Sequence, residues 1–434
     1  MDFTLSEQHQ RVRETAARVA REVVAPRAAE ADREGKYPED WFEAFRDNGL
    51  LALAAPVEYG GAGAGSLGLA IAIEEVSKYD SGAGLMLLTT RLATAGIVMA
   101  GTAEQREKYV RGVAEGRLRG CFALTEPEAG SDSANIQTTA TRDGDDYVLN
   151  GTKLWAGQAT VADFAMVVAK TDPAAGARGV SAFLVDLPNP SFRIVRELPK
   201  MGVLNVPVVE IDLRDCRVPA AALVGEENRG FLVVMRHLNV VRPLVAARCV
   251  GLAAGATQYA LAYAQQRRTF GRPLIEHEAI AFDLAELAME VEASRLLTYR
   301  AACLVDEGAS GREVAHFLSM AKAKASEVAV RASERAVQIL GGFGYLKDYA
   351  AERYYRDAKQ LMIVEGTSEI HRLIISRALA DGLLDWGYDV EAAGGLPHSP
   401  ADKARRERLR QEYDERARQS AAPEEAVPEA VHGA

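Results

Sequence analysis

Cys121-Phe-Ala-Leu-Thr-Glu-Pro-Glu-Ala-Gly-Ser-Asp132 is the point at which one kind of sequence gives way to another. Its first residues are apolar and read as a strand, and Leu124-Thr125-Glu126 then enters a turn rich in Pro, Gly, Ser and Asp. In such a turn free backbone N–H groups and the Thr125 hydroxyl can face a ligand. On the N-terminal side the text is helical. Thr4 and Glu7 fit a capping box, Val12, Ala16, Val19 and Val23 keep helical spacing as far as Pro26, and helical sequence continues to about Arg119. On the C-terminal side, Asp146–Leu149, Asn150-Gly151 and Thr152–Trp155 read as a hairpin with a type I′ turn. Strand-like runs follow at Phe164–Ala169, Gly179–Val185 and Pro207–Leu213. From Phe231 to about Leu384 helical periodicity returns in long segments, broken at Phe270–Pro273 and Gly341–Tyr345. The pattern predicts an α+β chain: a helical domain over 1–119, a β domain over 120–230 and a second helical domain over 231–384.

Residues 385–434 differ in kind. Asp402–Arg418 interleaves both charge signs and reads as a solvated helix, and Ala421–Ala434 is an Ala/Pro/Glu tail with too little to bury to fold. Across all 434 residues, 48% hydrophobic and 26% charged is a globular composition. Lys and Arg number 51 against 61 Asp and Glu, a net charge of −10 that supplies no basic face for nucleic acid. Cys121, Cys216, Cys249 and Cys303 are widely spaced, which predicts reduced core thiols with neither a disulfide frame nor a metal site. The N-terminus lacks a basic, then apolar, export pattern, and apolar stretches such as Leu50–Val57 fall short of a bilayer span. A cytoplasmic protein without a membrane partner is expected.

Gly63-Ala64-Gly65-Ser66-Leu67-Gly68 matches the dinucleotide fingerprint G-x-G-x-x-G, but Pro56 and Tyr59-Gly60-Gly61 stand where its strand should be. It reads as a flexible glycine-rich connection between helices, with a nicotinamide-dependent Rossmann enzyme as the remote alternative.

Three separated segments carry more together than alone: Cys121–Asp132, Arg267-Arg-Thr-Phe-Gly-Arg-Pro273, and Gln338-Ile-Leu-Gly-Gly342 with Glu365-Gly-Thr-Ser-Glu369. In this order, on a helical, β, helical layout, the chain resembles the acyl-CoA dehydrogenase family of flavoproteins over about residues 1–384. The resemblance implies a middle β-barrel or sandwich, a C-terminal four-helix bundle, bound FAD, and a homo-oligomer, usually a tetramer. It also implies an electron-transferring flavoprotein as acceptor and a place in fatty acid metabolism. It places Phe122, Leu124 and Thr125 against FAD, and Ser131 near the FAD phosphates or the pantetheine of the acyl-CoA. Trp155 would cover the flavin ring. Arg267, Phe270, Gln338, Gly341 and Gly342 would reach FAD bound mainly by a neighbouring subunit, and Thr367 and Glu369 would touch its diphosphate or ribose.

Two departures stand out. After Trp155 the family usually reads Ile-Thr-Asn-Gly, whereas this chain reads Ala156-Gly157-Gln158-Ala159, so the hydroxyl aimed at flavin N5 is missing and backbone N–H groups near Gly157 must serve. Glu278 stands where many members have Gln, and a carboxylate cannot donate as an amide does.

By the same resemblance Glu365 is the catalytic base. It ends the apolar Met362-Ile363-Val364 run before a helix whose buried face should hold Ile370, Leu373 and Ile374. Burial in an apolar cavity would raise its pKa towards the operating pH, as abstraction of a thioester α-proton requires. Members with the base on another helix carry it at the position of Val241, which cannot take a proton. Arg242 resembles an arginine near substrate and base, Asn239 replaces an Asp that often contacts the CoA chain, and the Gly366 backbone would meet the thioester. The same chemistry on an acyl carrier protein thioester, or with oxygen as acceptor, is a close alternative. A non-catalytic FAD- or CoA-binding protein is a more distant one.

Overall fold

The computed structural model describes residues 4–390, 392–393, 396, 407–412 and 414–415. The chain divides into two compact units, Met1–Ala378 and Leu379–Ala434. The first begins with α1 (Glu7–Val19), α2 (Ala25–Glu34), α3 (Glu39–Asp47), α4 (Gly65–Ser77), α5 (Ser81–Ala100), α6 (Ala103–Gln105) and α7 (Arg111–Ala114). Ser6, not Thr4, caps α1, its Oγ accepting the His9 N–H at 3.3 Å. Nor does the helix stop at Pro26: a π-helical turn over Ala20–Val24 leads without a break into α2, with Pro26 in its first turn.

The glycine-rich segment is an ordered helix start. The Asp306 carboxylate accepts the Ser66 and Leu67 N–H groups at 2.6 and 3.0 Å, so the end of α4 that a pyrophosphate would need is already filled. Only short 3₁₀ turns at Leu50–Ala52 and Val57–Tyr59 stand ahead of it, which removes the Rossmann reading.

The β domain is β1 (Gly120–Ala123), β2 (Thr139–Asp143), β3 (Asp146–Gly157), β4 (Phe164–Lys170), β5 (Val180–Asp186), β6 (Phe192–Glu197) and β7 (Val208–Pro219), one curled seven-stranded sheet. The order β1-β4-β2-β3-β7-β6 has β5 added to the free side of β4. All seven residues of β4 are buried, as its unbroken apolar run requires. The hairpin turn lies at Gly144 (φ 62°), between the paired Asp143 and Asp146, and not at Asn150-Gly151. Those two residues form a bulge inside β3. Gly151 is needed there because a Cβ would come within 2.5 Å of Thr138 Oγ1, and Asn150 Oδ1 accepts the Asp215 N–H at 2.8 Å.

The helical domain comprises α8 (Gly230–Gln266), the two-residue strands β8 (Arg268–Thr269) and β9 (Arg272–Pro273), α9 (Glu278–Asp306), α10 (Arg312–Leu340), α11 (Ala350–Leu361) and α12 (Ser368–Ala380). Helices α8 to α11 pack as a bundle, and α4 and α5 pack on α8. By length and composition α5 and α8 could cross a bilayer, contrary to the sequence reading, but both are largely buried in this core. Cys303 is exposed, so three of the four thiols are core residues. Residues 407–412 and 414–415 of the charged segment are helical and exposed; the rest of Asp402–Arg418, and Ala421–Ala434, lie outside the described residues.

Asp306 joins the end of α9 to the start of α4 through charge-assisted hydrogen bonds. Asp306→Ala should lower the apparent unfolding free energy by about 1–2 kcal/mol. Paired denaturant melts check this, and superimposable curves would show that the cap contributes nothing.

Candidate active site

The Cys121–Asp132 segment is held from below by a buried ion pair. Lys153, on β3 and fully buried, donates to Glu126 Oε1 at 2.7 Å and to the Leu124 carbonyl at 3.0 Å. Glu126 also accepts the Gln137 and Thr138 N–H groups. Burial lowers the Lys153 pKa to about 8, with Glu126 opposing; burial works against ionisation of Glu126, but Lys153 and the amides hold its pKa below the usual range. The turn is thereby a fixed shelf. Leu124 is buried, Phe122 and Thr125 are half-buried and Ser131 is exposed. The Leu154 N–H donates to the Thr125 carbonyl at 2.8 Å, bringing Trp155 and Gly157 beside the shelf.

Trp155 sits at a bulge with φ 64° and is 57% exposed. A large aromatic residue in a left-handed conformation with its ring in solvent is an outlier that marks this edge as a candidate contact surface. A side chain at Gly157 would meet nothing within 4 Å, so the shelf is open where the family hydroxyl is missing. Gln158, with φ 51°, is buried and donates to the Gly120 carbonyl at 2.9 Å.

A second group of the residues assigned by resemblance gathers at the far end of α8. Phe270-Gly271 (φ 50° and 82°) makes the type I′ turn between β8 and β9, with Phe270 98% exposed. Arg267 caps α8, and Gln338 lies in the last turn of α10, both exposed. Gly341 (φ 61°) ends α10, and side chains built at Gly341 or Gly342 would meet open space. Tyr263 and Phe343, 6.5 Å apart between ring centres, connect the two ends. Glu278 is the exposed first residue of α9, where the positive helix end favours a carboxylate, a local reason for Glu in place of Gln. No hydrogen bond or ring contact among the described residues joins this group to the shelf. Exposed aromatic faces, bare backbone and an arginine fit a long planar and anionic ligand such as FAD, contacted from more than one side.

Glu365 occupies a third place, between α11 and α12. Glu365 (φ 55°) and Gly366 (φ 95°) are consecutive left-handed residues. The residue is half-buried, and its Oε2 is enclosed without a hydrogen-bond partner. Burial raises its carboxyl pKa, with Lys322 and Arg242 partly opposing. The surroundings are therefore cationic as well as enclosed, not the purely apolar cavity expected. Arg242 is buried, its pKa lowered to about 10 by that burial, and donates to Asn239 Oδ1. Asn239 Nδ2 in turn donates to the Ser310 carbonyl at 2.7 Å, so both ends of this amide are engaged within the protein. Thr367 Oγ1 accepts the Ile370 N–H at the start of α12, and Glu369 is exposed in its first turn. The buried residues of α12 are Ser368, His371 and Ala378, whereas Leu373 is 41% exposed, because the helix turns its polar side inward under the Glu365 loop.

Sequence reasoning missed Lys322, His371 and His237. Lys322 is fully buried and its Nζ donates to the Gly366 carbonyl at 2.7 Å. His371 packs its ring on Gly366, and burial, then Arg242 and Lys322, lower its pKa to about 3 against the opposing influence of the Gly366 and Glu365 backbone. His237 stacks on Phe122 at 4.6 Å and accepts the Gly96 N–H through Nδ1, leaving Nε2 unpartnered. A signal for Lys322 existed: Ala315, Leu318, Lys322, Ala325 and Ala329 keep one helical face.

Family models of the acyl-CoA dehydrogenase N-terminal, middle and C-terminal domains match residues 6–117, 121–216 and 228–380. The chain is 37% identical over 377 residues to the probable acyl-CoA dehydrogenase FadE25 of Mycobacterium tuberculosis, covering 87% of this chain and 96% of that one. Butyryl-CoA dehydrogenase from Megasphaera elsdenii superposes with a TM-score of 0.85 at 37% identity, over 88% of this chain and all of that one. The prolyl acyl carrier protein oxidase AnaB superposes with a TM-score of 0.82 at 28% identity, over 87% and 100%.

Lys153→Met would leave Glu126 enclosed without its counter-ion, at an expected cost of about 3–5 kcal/mol. The double variant Lys153→Met/Glu126→Gln should recover part of that loss. A single variant as stable as the parent would show that the pair is not closed to solvent.

Proposed function

The chain belongs to the acyl-CoA dehydrogenase family, whose members are oxidoreductases, and on that premise we propose that it converts an acyl-CoA thioester to its trans-2-enoyl form with Glu365 as the base. The observation that carries this is the enclosed, unpartnered Oε2 of Glu365 on a left-handed turn, a lone pair held ready and bonded to nothing. Burial raises the carboxyl pKa, so the base is stronger than a solvated carboxylate. Arg242 and Lys322 keep the ionised form accessible.

FAD, on which the family depends, supplies when bound the two-electron acceptor for the β-hydride. Phe122, Leu124, Thr125 and Trp155 would hold its ring system, with backbone near Gly157 serving where the usual hydroxyl is absent. Arg267, Phe270, Gln338 and Gly341-Gly342 would hold the remainder, contributed by a second copy of the chain. Phe282, Met289 and Leu296, seven residues apart along α9, form an exposed apolar stripe that supports a homo-oligomer, with a tetramer as the expected form. With the Gly366 carbonyl taken by Lys322, its N–H remains to meet the thioester. The α-carbon loses its proton to Glu365 as the β-hydrogen departs as hydride, and an electron-transferring flavoprotein is the proposed onward acceptor.

The likeness to a prolyl carrier protein oxidase favours one second reading, the same dehydrogenation on a carrier-protein thioester. Anaerobic addition of acyl-CoAs of varied length and branching, followed by the matching carrier-protein thioesters, tests both through bleaching of the flavin band. Bleaching by a CoA thioester supports the first reading, and bleaching only by carrier-bound thioesters the second. A yellow protein bleached by neither would be non-catalytic.

Glu365→Gln should retain the flavin but bleach about 10²- to 10⁴-fold more slowly. In the parent protein the bleaching rate should fall as pH drops through the raised carboxyl pKa, because only the ionised base accepts a proton. An acid limb confined to the ordinary carboxylate range would contradict the burial argument.

A further inference from the structure

A lysine in the middle of a helix bundle is costly to keep charged, and Lys322 has no directly bonded carboxylate to compensate it. Its surface is fully buried, and burial lowers its pKa to about 8. Its Nζ donates to the Gly366 carbonyl at 2.7 Å. The groups that face it are Cys249 and Arg242 from α8, Glu365 from the loop, and Glu369 and His371 from α12. Burial raises the Cys249 thiol pKa to about 12, so it is neutral, and His371 is neutral as well. Arg242 repels Lys322, and Glu369 is exposed. Glu365 is the enclosed carboxyl among these groups.

The backbone explains why a donor is needed at this point. Two successive left-handed residues, one of them not glycine, persist only where the surroundings over-determine them. Lys322 grips the carbonyl of the second, and the Ser368 N–H closes back on the Met362 carbonyl at 3.0 Å. The ring of His371 lies close against Gly366, where a Cβ would come 3.3 Å from its Nε2.

We propose that Lys322 is a positioning residue for the reaction, holding the Glu365–Gly366 turn through the Gly366 carbonyl so that the carboxylate points at the substrate, and supplying the positive charge that favours its ionised form. This rests on the reading of Glu365 as the base. The two contributions separate by substitution. Lys322→Gln keeps a donor but loses the charge, whereas Lys322→Met loses both.

The test uses the flavin-loaded full chain. An infrared titration follows the protonated carboxyl band of Glu365, identified by its absence in Glu365→Gln, alongside the pH profile of anaerobic bleaching by a reactive acyl-CoA. In Lys322→Gln and Lys322→Met the titration midpoint and the acid limb should both move up by about one pH unit or more, because an opposite charge has been removed. The limiting rate should also fall about 10- to 100-fold in Lys322→Met, and less in Lys322→Gln. If Lys322→Met does not fold, Lys322→Gln alone decides through the midpoint. A midpoint and acid limb unchanged in a folded variant overturn the proposal while Glu365 stands. Full activity in Glu365→Gln overturns the base itself, a different and separately visible failure.

Discussion

Arg248 is the charge on which the arrangement of helices hangs. It sits in α8 with 1% of its surface exposed, and its Nε donates to the Ser81 carbonyl at 2.7 Å and to Ser81 Oγ at 3.0 Å, at the first residue of α5. A second nitrogen donates to Gln360 Oε1 at 2.9 Å, near the end of α11. Burial lowers its pKa to about 10, with Asp357 the leading influence against that loss. Gln360 uses its own carbonyl to accept the Ile363 and Val364 N–H groups, the two residues before Glu365. One guanidinium thus joins the start of α5, the centre of α8 and the departure point of the candidate base. The helix crossing around it is equally constrained, since a Cβ at Gly251 would lie 2.3 Å from the Glu74 carbonyl oxygen and one at Gly255 2.1 Å from that of Lys78. Small residues let α8 meet the backbone of α4, and Arg248 fixes where along its length it does so.

Within that frame the Glu365 loop is a place where stability has been given up. Its carboxylate oxygen is enclosed and unpartnered, two residues are left-handed, and His371, Lys322 and Arg242 are ionisable groups taken out of water. None of this is required to pack a helix bundle, and apolar residues of similar volume would be more stable. Burial and the two cations, Lys322 and Arg242, act in opposite senses on Glu365. Desolvation raises its proton affinity while the two cations lower it, and burial is the larger influence.

How far the sequence can be read follows from what makes each element. Strands β4, β5 and β7 were legible because burial on the sheet demands apolar runs, and the long helices because their faces repeat. Strands β2 and β6 were not, since Thr139–Asp143 and Phe192–Glu197 are largely polar or exposed and sheet pairing alone makes them strands. Asn150-Gly151 carries a strong turn signature, yet the chain had already turned at Gly144, and the glycine answers a close approach to Thr138 instead. At the candidate site, the motif-bearing residues Glu365, Arg242 and the shelf were visible. Their supports were less so: Lys153, Lys322 and His371 are polar residues whose burial depends on partners far apart in the chain, and of the three only Lys322 carries a signal, its place on the apolar face of α10.

The glycine-rich start of α4 shows the same dependence on distant partners. A helix N-terminus following G-x-G-x-x-G attracts an anion whatever its source, and here the anion is Asp306, some 240 residues away in sequence. A Cβ at Gly65 would lie 2.6 Å from that carboxylate, so the glycine is required for close approach just as in a nucleotide site. The motif states correctly that backbone donors will meet a negative group at short range. It does not state whose group, because that is decided by which carboxylate the rest of the fold delivers to the helix end. The same holds for the shelf at Cys121–Asp132, where Glu126 fills the lower side through Lys153 and two amides and leaves the upper side free. An anion supplied from within closes a site, and an exposed edge beside an aromatic ring turned to solvent leaves one open.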